Sequence, residues 1–184
     1  DCGLINMAQS SVLDYLLMFI FYWLSLFCVN ATTYRELLQI GQSIGISDTI
    51  VSKGGSYEMG FFTRIKDDST KYYVGIWFKK VPNDKIVWVA NRDYAFQTTS
   101  AALTINPADG NIVIIDGQIT YHVTSVTDNN NNITYMALFD SGSLRLQNNS
   151  NQAILWDSFD NPTDTILAGN GLALGNSWSI NSWT

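Results

Sequence analysis

Apolar residues fall in short runs along this 184-residue chain, and the style of the runs changes near residue 32. From Leu16 to Val29 the sequence reads LLMFIFYWLSLFCV, without a charge. The stretch has no polar face, unlike the helix of a globular core. Beyond Thr32 the apolar runs are four to eight residues long, alternating or continuous, and rich in β-branched and aromatic residues. Such runs predict strands. They cover Tyr57–Thr63, Tyr72–Phe78, Ile86–Ala90, Leu103–Ile105, Ile112–Ile115, Ile119–Val126, Tyr135–Phe139, Leu144–Gln147 and Ile154–Trp156. Only Tyr34–Ile40 (YRELLQI) offers a short helical spacing.

Turn signals separate the runs: Lys53-Gly54-Gly55, Pro82-Asn83-Asp84, Asp109-Gly110, Asp116-Gly117, Ser141-Gly142 and Asn161-Pro162. Asp-Gly pairs supply the positive φ that tight hairpins need. About ten short strands at this spacing imply a sandwich, barrel or prism, and exclude a βαβ fold. A faint repeat agrees with stacked β units: Trp77 (GIWF), Trp88 (IVWVAN) and Trp156 (ILWDSF) share a context, and Asp109–Ile115 resembles Asp140–Leu146.

The first apolar run is short for a membrane span, which needs about 20 residues, but fits a signal-peptide core. Met7 is the expected start, with residues 1–6 upstream sequence and cleavage near Ala31. Residues 1–31 are thus expected to form a signal segment, 32–170 a single domain, and 171–184 a C-terminal strand or linker. Met7–Asp14 lacks the usual basic residues, so an uncleaved signal anchor is the alternative. The sequons at Asn132 and Asn148 fit secretion and are candidates for N-glycosylation.

Charge and cysteine narrow the function. The net charge is −6, and without residues 1–31 it is about −4, with no basic stripe. Nucleic acid and anionic membrane surfaces are therefore unsuitable partners. Both cysteines, Cys2 and Cys28, lie in the N-terminal segment, so the domain can form no internal disulfide and no thiolate metal site.

Three separated segments go further: TIVSKGGSYEMGFF (Thr49–Phe62), YVGIWFKKVPNDKIVWVANRD (Tyr73–Asp93) and WDSFDNPTDTIL (Trp156–Leu167). In this order and spacing the chain from Tyr34 onward resembles the bulb-type, mannose-binding-like lectin domain of plant G-type lectin S-receptor-like kinases. The resemblance implies an all-β prism of three roughly four-stranded antiparallel sheets with pseudo-threefold symmetry. It implies a core in which Trp77, Trp88 and Trp156 meet near the axis.

The resemblance also implies a sugar motif, Gln-x-Asp-x-Asn-x-Val-x-Tyr, on each sheet. Alternate strand residues share a face, so such a motif lines up polar groups beside an apolar contact. Here Asp109, Asn111 and Val113 match, while Pro107 and Ile115 replace Gln and Tyr. A second copy, Phe139-x-Ser141-x-Ser143-x-Arg145-x-Gln147, has lost every motif residue, and a third near Tyr57–Phe62 is unrecognisable. Asp109 and Asn111 are read either as residual mannose-type contacts or as a hairpin entry kept for its turn chemistry.

Other signals point away from catalysis. Gly41-Gln42-Ser43-Ile44-Gly45 has the spacing of a hydrolase elbow, but that motif needs a strand–turn–helix within an α/β sheet. His122, the sole histidine, is expected on a strand surface. Asp157, Asp160 and Asp164 cluster without calcium-loop spacing. No cofactor or metal is expected.

The functional expectation is a secreted or cell-surface recognition module for a mannose-type glycan, glycoprotein or peptide. The alternative is a protein–protein or dimerisation module that binds no sugar, pairing with itself or with receptor ectodomains. No membrane span or kinase signature follows the domain, so a receptor fragment or a secreted relative is expected.

Overall fold

The computed structural model describes residues 14–22, 35–64, 70–81, 85–127 and 134–167. The chain divides into two compact units, residues 1–33 and 34–184. In the first, residues 14–22 are helical and exposed. No helix among the described residues is long and apolar enough to cross a membrane. Cys2, Cys28, Asn132, the turn at Pro82–Asp84 and residues 171–184 lie outside the described residues.

The second unit is a β-prism of three four-stranded antiparallel sheets. Three short strands come first: β1 (Leu37–Gln39), β2 (Ser43–Ile44) and β3 (Thr49–Val51). Each joins a different sheet. Three-strand meanders then complete the sheets in reverse order. Sheet C takes β4 (Tyr57–Thr63), β5 (Tyr72–Phe78) and β6 (Ile86–Val89) beside β3. Sheet B takes β7 (Ala102–Ile105), β8 (Ile112–Asp116) and β9 (Ile119–His122) beside β2. Sheet A takes β10 (Thr134–Leu138), β11 (Leu144–Asn148) and β12 (Ile154–Asp157) beside β1.

The middle strands send alternate residues into one shared core: Val74 and Ile76, Ile112 and Ile114, Leu144 and Leu146. The register makes the three sheets equivalent. Ile76 pairs with Trp88, Ile114 with Tyr121 and Leu146 with Trp156. Trp88 and Trp156 meet edge-to-face with ring centroids 5.8 Å apart. Tyr121 takes the third aromatic place, and its hydroxyl donates to the Ala90 carbonyl.

This corrects the expectation for Trp77. It is buried, but it follows the core-facing Ile76 on β5 and so faces outward. There it packs across Gly60, where an added Cβ would lie 3.3 Å from the indole.

Two further expectations change. The helical spacing of Tyr34–Ile40 gives way to β1, where Leu38 is buried and pairs with Met136. The run Ile119–Val126 leaves its sheet after His122: the Val123 and Thr124 N–H groups share the Ile112 carbonyl, and the Thr124 and Asn111 side chains hold the chain beyond.

A polar latch repeats with the fold. The N–H groups of Val74, Ile112 and Leu144 donate to Asn91 Oδ1 (2.7 Å), Thr124 Oγ1 (2.9 Å) and Ser158 Oγ (2.9 Å). Asn91, Thr124 and Ser158 are all buried, each two or three residues beyond the aromatic of its sheet's last strand.

Candidate functional site

The pleat carries the later residues of the expected sugar motif to an outer sheet face, while Pro107 and Asp109 lie in the turn before β8. On β8, Ile112 and Ile114 enter the core, so Asn111, Val113 and Ile115 face out. The register then fixes the equivalent positions. On β11 they are Ser143, Arg145 and Gln147, as the sequence spacing suggests. The third copy lies on β5, at Tyr73, Gly75 and Trp77, and not on β4 near Tyr57–Phe62. Nothing in its composition marks it as a copy; only the strand pairing does.

Two of the three faces are closed by their own side chains. On sheet A, Ser143 Oγ donates to Asp157 Oδ1 at 2.7 Å, and Arg145 Nε donates to Asp157 Oδ2 at 2.8 Å. The Arg145 guanidinium lies 4.6 Å from the centre of the Phe139 ring. Gln147 accepts from the Tyr135 hydroxyl and donates to the Gln152 carbonyl. Asp157 is thus an ion-pair partner and the cap of the 3-10 turn Ser158–Asp160. On sheet C, Phe62 lies between Tyr73 and Trp77, at 5.9 and 6.5 Å. Its ring covers Gly75, where a Cβ would come within 2.7 Å.

Sheet B differs. Its outer face carries an open depression lined by Asp109, Asn111, His122, Ser125, Val126 and Thr127. Asp109 Oδ1 accepts from the Asn111 N–H, closing a turn that enters β8. The Asn111 amide is used within the protein. Its Oδ1 accepts from Thr124 Oγ1 (2.8 Å) and the Val126 N–H (2.7 Å), and its Nδ2 donates to the Val126 carbonyl (3.1 Å). Asn111 is 4% exposed and Val113 1%, so neither projects from the surface. Val113 lies under the face, paired with the exposed His122.

The structure therefore brings Asp109, Asn111 and His122 to one depression, with Val113 beneath it. Ser125 and Thr127, which no motif marks, complete its wall. Ser125 belongs to a run that reads as continuous strand; main-chain bonds from Val123 and Thr124 to the Ile112 carbonyl, with the Asn111 and Thr124 side-chain bonds, turn it into a wall. Burial, then the charge of Asp93, holds the Tyr121 phenol above its usual range, so it stays neutral beneath the sheet. The hydrolase-like spacing forms no elbow: Ser43 lies in β2, paired with Thr104, and the chain runs on directly into β3.

Residues 85–184 match the family model described as D-mannose binding lectin. The chain belongs to that family. The lectin domain is non-catalytic, a carbohydrate-binding type of module. It is 36% identical over 170 residues to a G-type lectin S-receptor-like serine/threonine-protein kinase of Arabidopsis thaliana, covering 89% of this chain and 20% of that protein. It is 34% identical over 189 residues to the S-locus-specific glycoprotein S6 of Brassica oleracea, covering 95% of this chain and 41% of that one. The chain thus spans a fifth of the length of that kinase relative. Among solved structures, the lectin domain matches a monomeric monocot mannose-binding lectin from Gastrodia elata with a TM-score of 0.48 and 19% identity. The match covers 66% of this chain and 93% of the other. The Japanese Marasmius oreades lectin also gives 0.48, at 16% identity, covering 68% of this chain and 92% of that one.

Proposed function

We propose that the lectin domain is an extracellular recognition module that takes a mannose-type glycan at the sheet-B depression. The observation that carries this reading is the contrast between the faces. At equivalent positions sheets A and C fill themselves, whereas sheet B keeps an open, polar hollow over a buried valine. Neutral sugars need fixed donors and acceptors, because they offer little apolar surface to bury.

Secretion is part of the proposal. The uncharged run Leu16–Val29 supports it, as does the setting of Asn148. That residue's Oδ1 accepts from the Ser150 N–H at 2.8 Å, and no hydrogen bond within the described structure engages its Nδ2. Asn148→Gln in a plant-expressed chain is expected to remove one glycan, read as a step in gel mobility. An unchanged band would remove Asn148 from the candidates.

A second reading, a module that binds a peptide or another ectodomain and no sugar, is favoured by one observation: the motif's Asn111 amide is spent on the domain itself. A glycan array followed by titration calorimetry with mannosides separates the two. Binding confined to mannose-terminated glycans supports the first reading. Silence across the array, with self-association in sedimentation, supports the second.

A further inference from the structure

The polar groups of the sheet-B depression divide into two sets. Asp109 and Asn111 are engaged within the protein: Asp109 caps the turn into β8, and Asn111 ties the main chain at Val126 to that turn. His122, Ser125 and Thr127 are exposed, and no hydrogen bond within the described structure uses their side chains. The unengaged set is the one to which no motif points.

The sheet equivalence sharpens the contrast. The partner of Val113 on the last strand is His122; the corresponding residues are Val89 on β6 and Asp157 on β12. Val89 is 1% exposed, and Asp157 is bound to Ser143 and Arg145. Only on sheet B does this position present a hydrogen-bonding side chain to solvent. A neutral imidazole both donates and accepts, and the two hydroxyls beside it can do either. That set matches a polyhydroxylated ligand, whose hydroxyls also need both roles.

We propose that His122, with Ser125 and Thr127, contacts the ligand, that His122 sets specificity, and that Asp109 and Asn111 are positioning residues that build the wall. This rests on the reading of the depression as a glycan site. It departs from that reading's motif, because Asn111 supports Ser125 and Thr127 and does not itself reach the sugar.

The test is an NMR titration of the full chain with methyl α-mannoside, beside thermal melts of each variant. The wild type is expected to show its largest amide shifts at Ser125 and Thr127. His122→Ala is expected to weaken binding about tenfold at an unchanged melting temperature, and His122→Gln, which keeps a donor and an acceptor, to restore most of it. Asn111→Ala is expected to lower the melting temperature along with binding. If the wild type binds and His122→Ala binds equally well, the inference is wrong and the glycan reading stands. If Asn111→Ala melts like the wild type but no longer binds, Asn111 is the contact and the inference is again wrong. If the wild type gives no shifts at any mannoside concentration, the glycan reading fails and the inference fails with it.

Discussion

Asn111 shows how a residue can match a motif and yet do other work. Its amide makes three hydrogen bonds, to Thr124 and to both main-chain groups of Val126, in a place with almost no solvent. Truncation to Ala strands those partners, so Asn111→Ala is expected to cost about 2–3 kcal/mol in urea unfolding. A loss below about 0.5 kcal/mol would mean the wall holds without it. Asp116 gives a pH signature at the same scale. The hydroxyls of Ser100 and Thr98 both donate to its carboxylate at 2.6 Å and hold its pKa below the usual carboxylate range. A depressed folded pKa means the contribution is intact above the unfolded value and is lost as pH falls through the folded one. Asp116→Asn is therefore expected to flatten the acid limb of the stability profile as pH falls through and below the ordinary carboxylate range. Coincident limbs for the two proteins would contradict this. Single residues were legible unevenly. Asp109 and Asn111 stand out by spacing, but the Asn111 amide bonds to Thr124 and Val126, more than ten positions away, and period alone does not show such partners.

Elements follow local pattern closely, and the deviations have causes. The runs Tyr57–Thr63 and Tyr72–Phe78 become strands with those bounds, because β-branched and aromatic residues alternate between core and outer face. The expected turn at Asp116-Gly117 closes a two-residue hairpin with Gly117 at φ 60°. Trp77 and Trp88 look alike in sequence, yet they face opposite ways, since one follows Ile76 on β5 and the other pairs with it from β6. Local context could not separate them; pairing does. The repeating latch is likewise invisible to pattern, because Asn, Thr and Ser share only shortness and a hydrogen-bond acceptor. Its chemistry predicts that Ser158→Ala, which leaves the buried Leu144 N–H without a partner, destabilises the domain by about 1–3 kcal/mol. Equilibrium unfolding checks this, and Ser158→Thr is expected to recover part of the loss by keeping the hydroxyl. Equal stability of the Ala variant would show that the latch contributes nothing.

At the scale of the molecule, β1, β2 and β3 follow one another within fifteen residues yet belong to three sheets. The prism therefore cannot close until distant meanders reach them; Leu38 pairs with Met136. Hydrophobic period predicts the strands but carries nothing about such pairings, which is why the three-sheet arrangement came from family resemblance and not from period. The other end of the fold closes the ring. After β12 of sheet A, residues Asn161–Thr165 run along β6 of sheet C. The Asn161 carbonyl accepts from Trp88 Nε1 (2.9 Å), Thr163 Oγ1 from the Val89 N–H (2.7 Å), and the Thr163 carbonyl from Arg92 Nη1 (2.8 Å); the Thr165 N–H donates to the Val87 carbonyl (3.2 Å). This strap satisfies an edge that would otherwise be open to pairing with another chain. Its hydroxyl at Thr163 is the one side-chain acceptor in the set, and Thr163→Val keeps the shape while deleting it. The Val89 N–H then loses its partner in a well-packed place, so stability is expected to fall by about 1–3 kcal/mol, with an unchanged denaturant slope. Thr163→Ser keeps the acceptor and is expected to stay close to the wild type. If Thr163→Val unfolds at the wild-type midpoint, the strap lies on the sheet without holding it, and closure of the ring must come from the core alone.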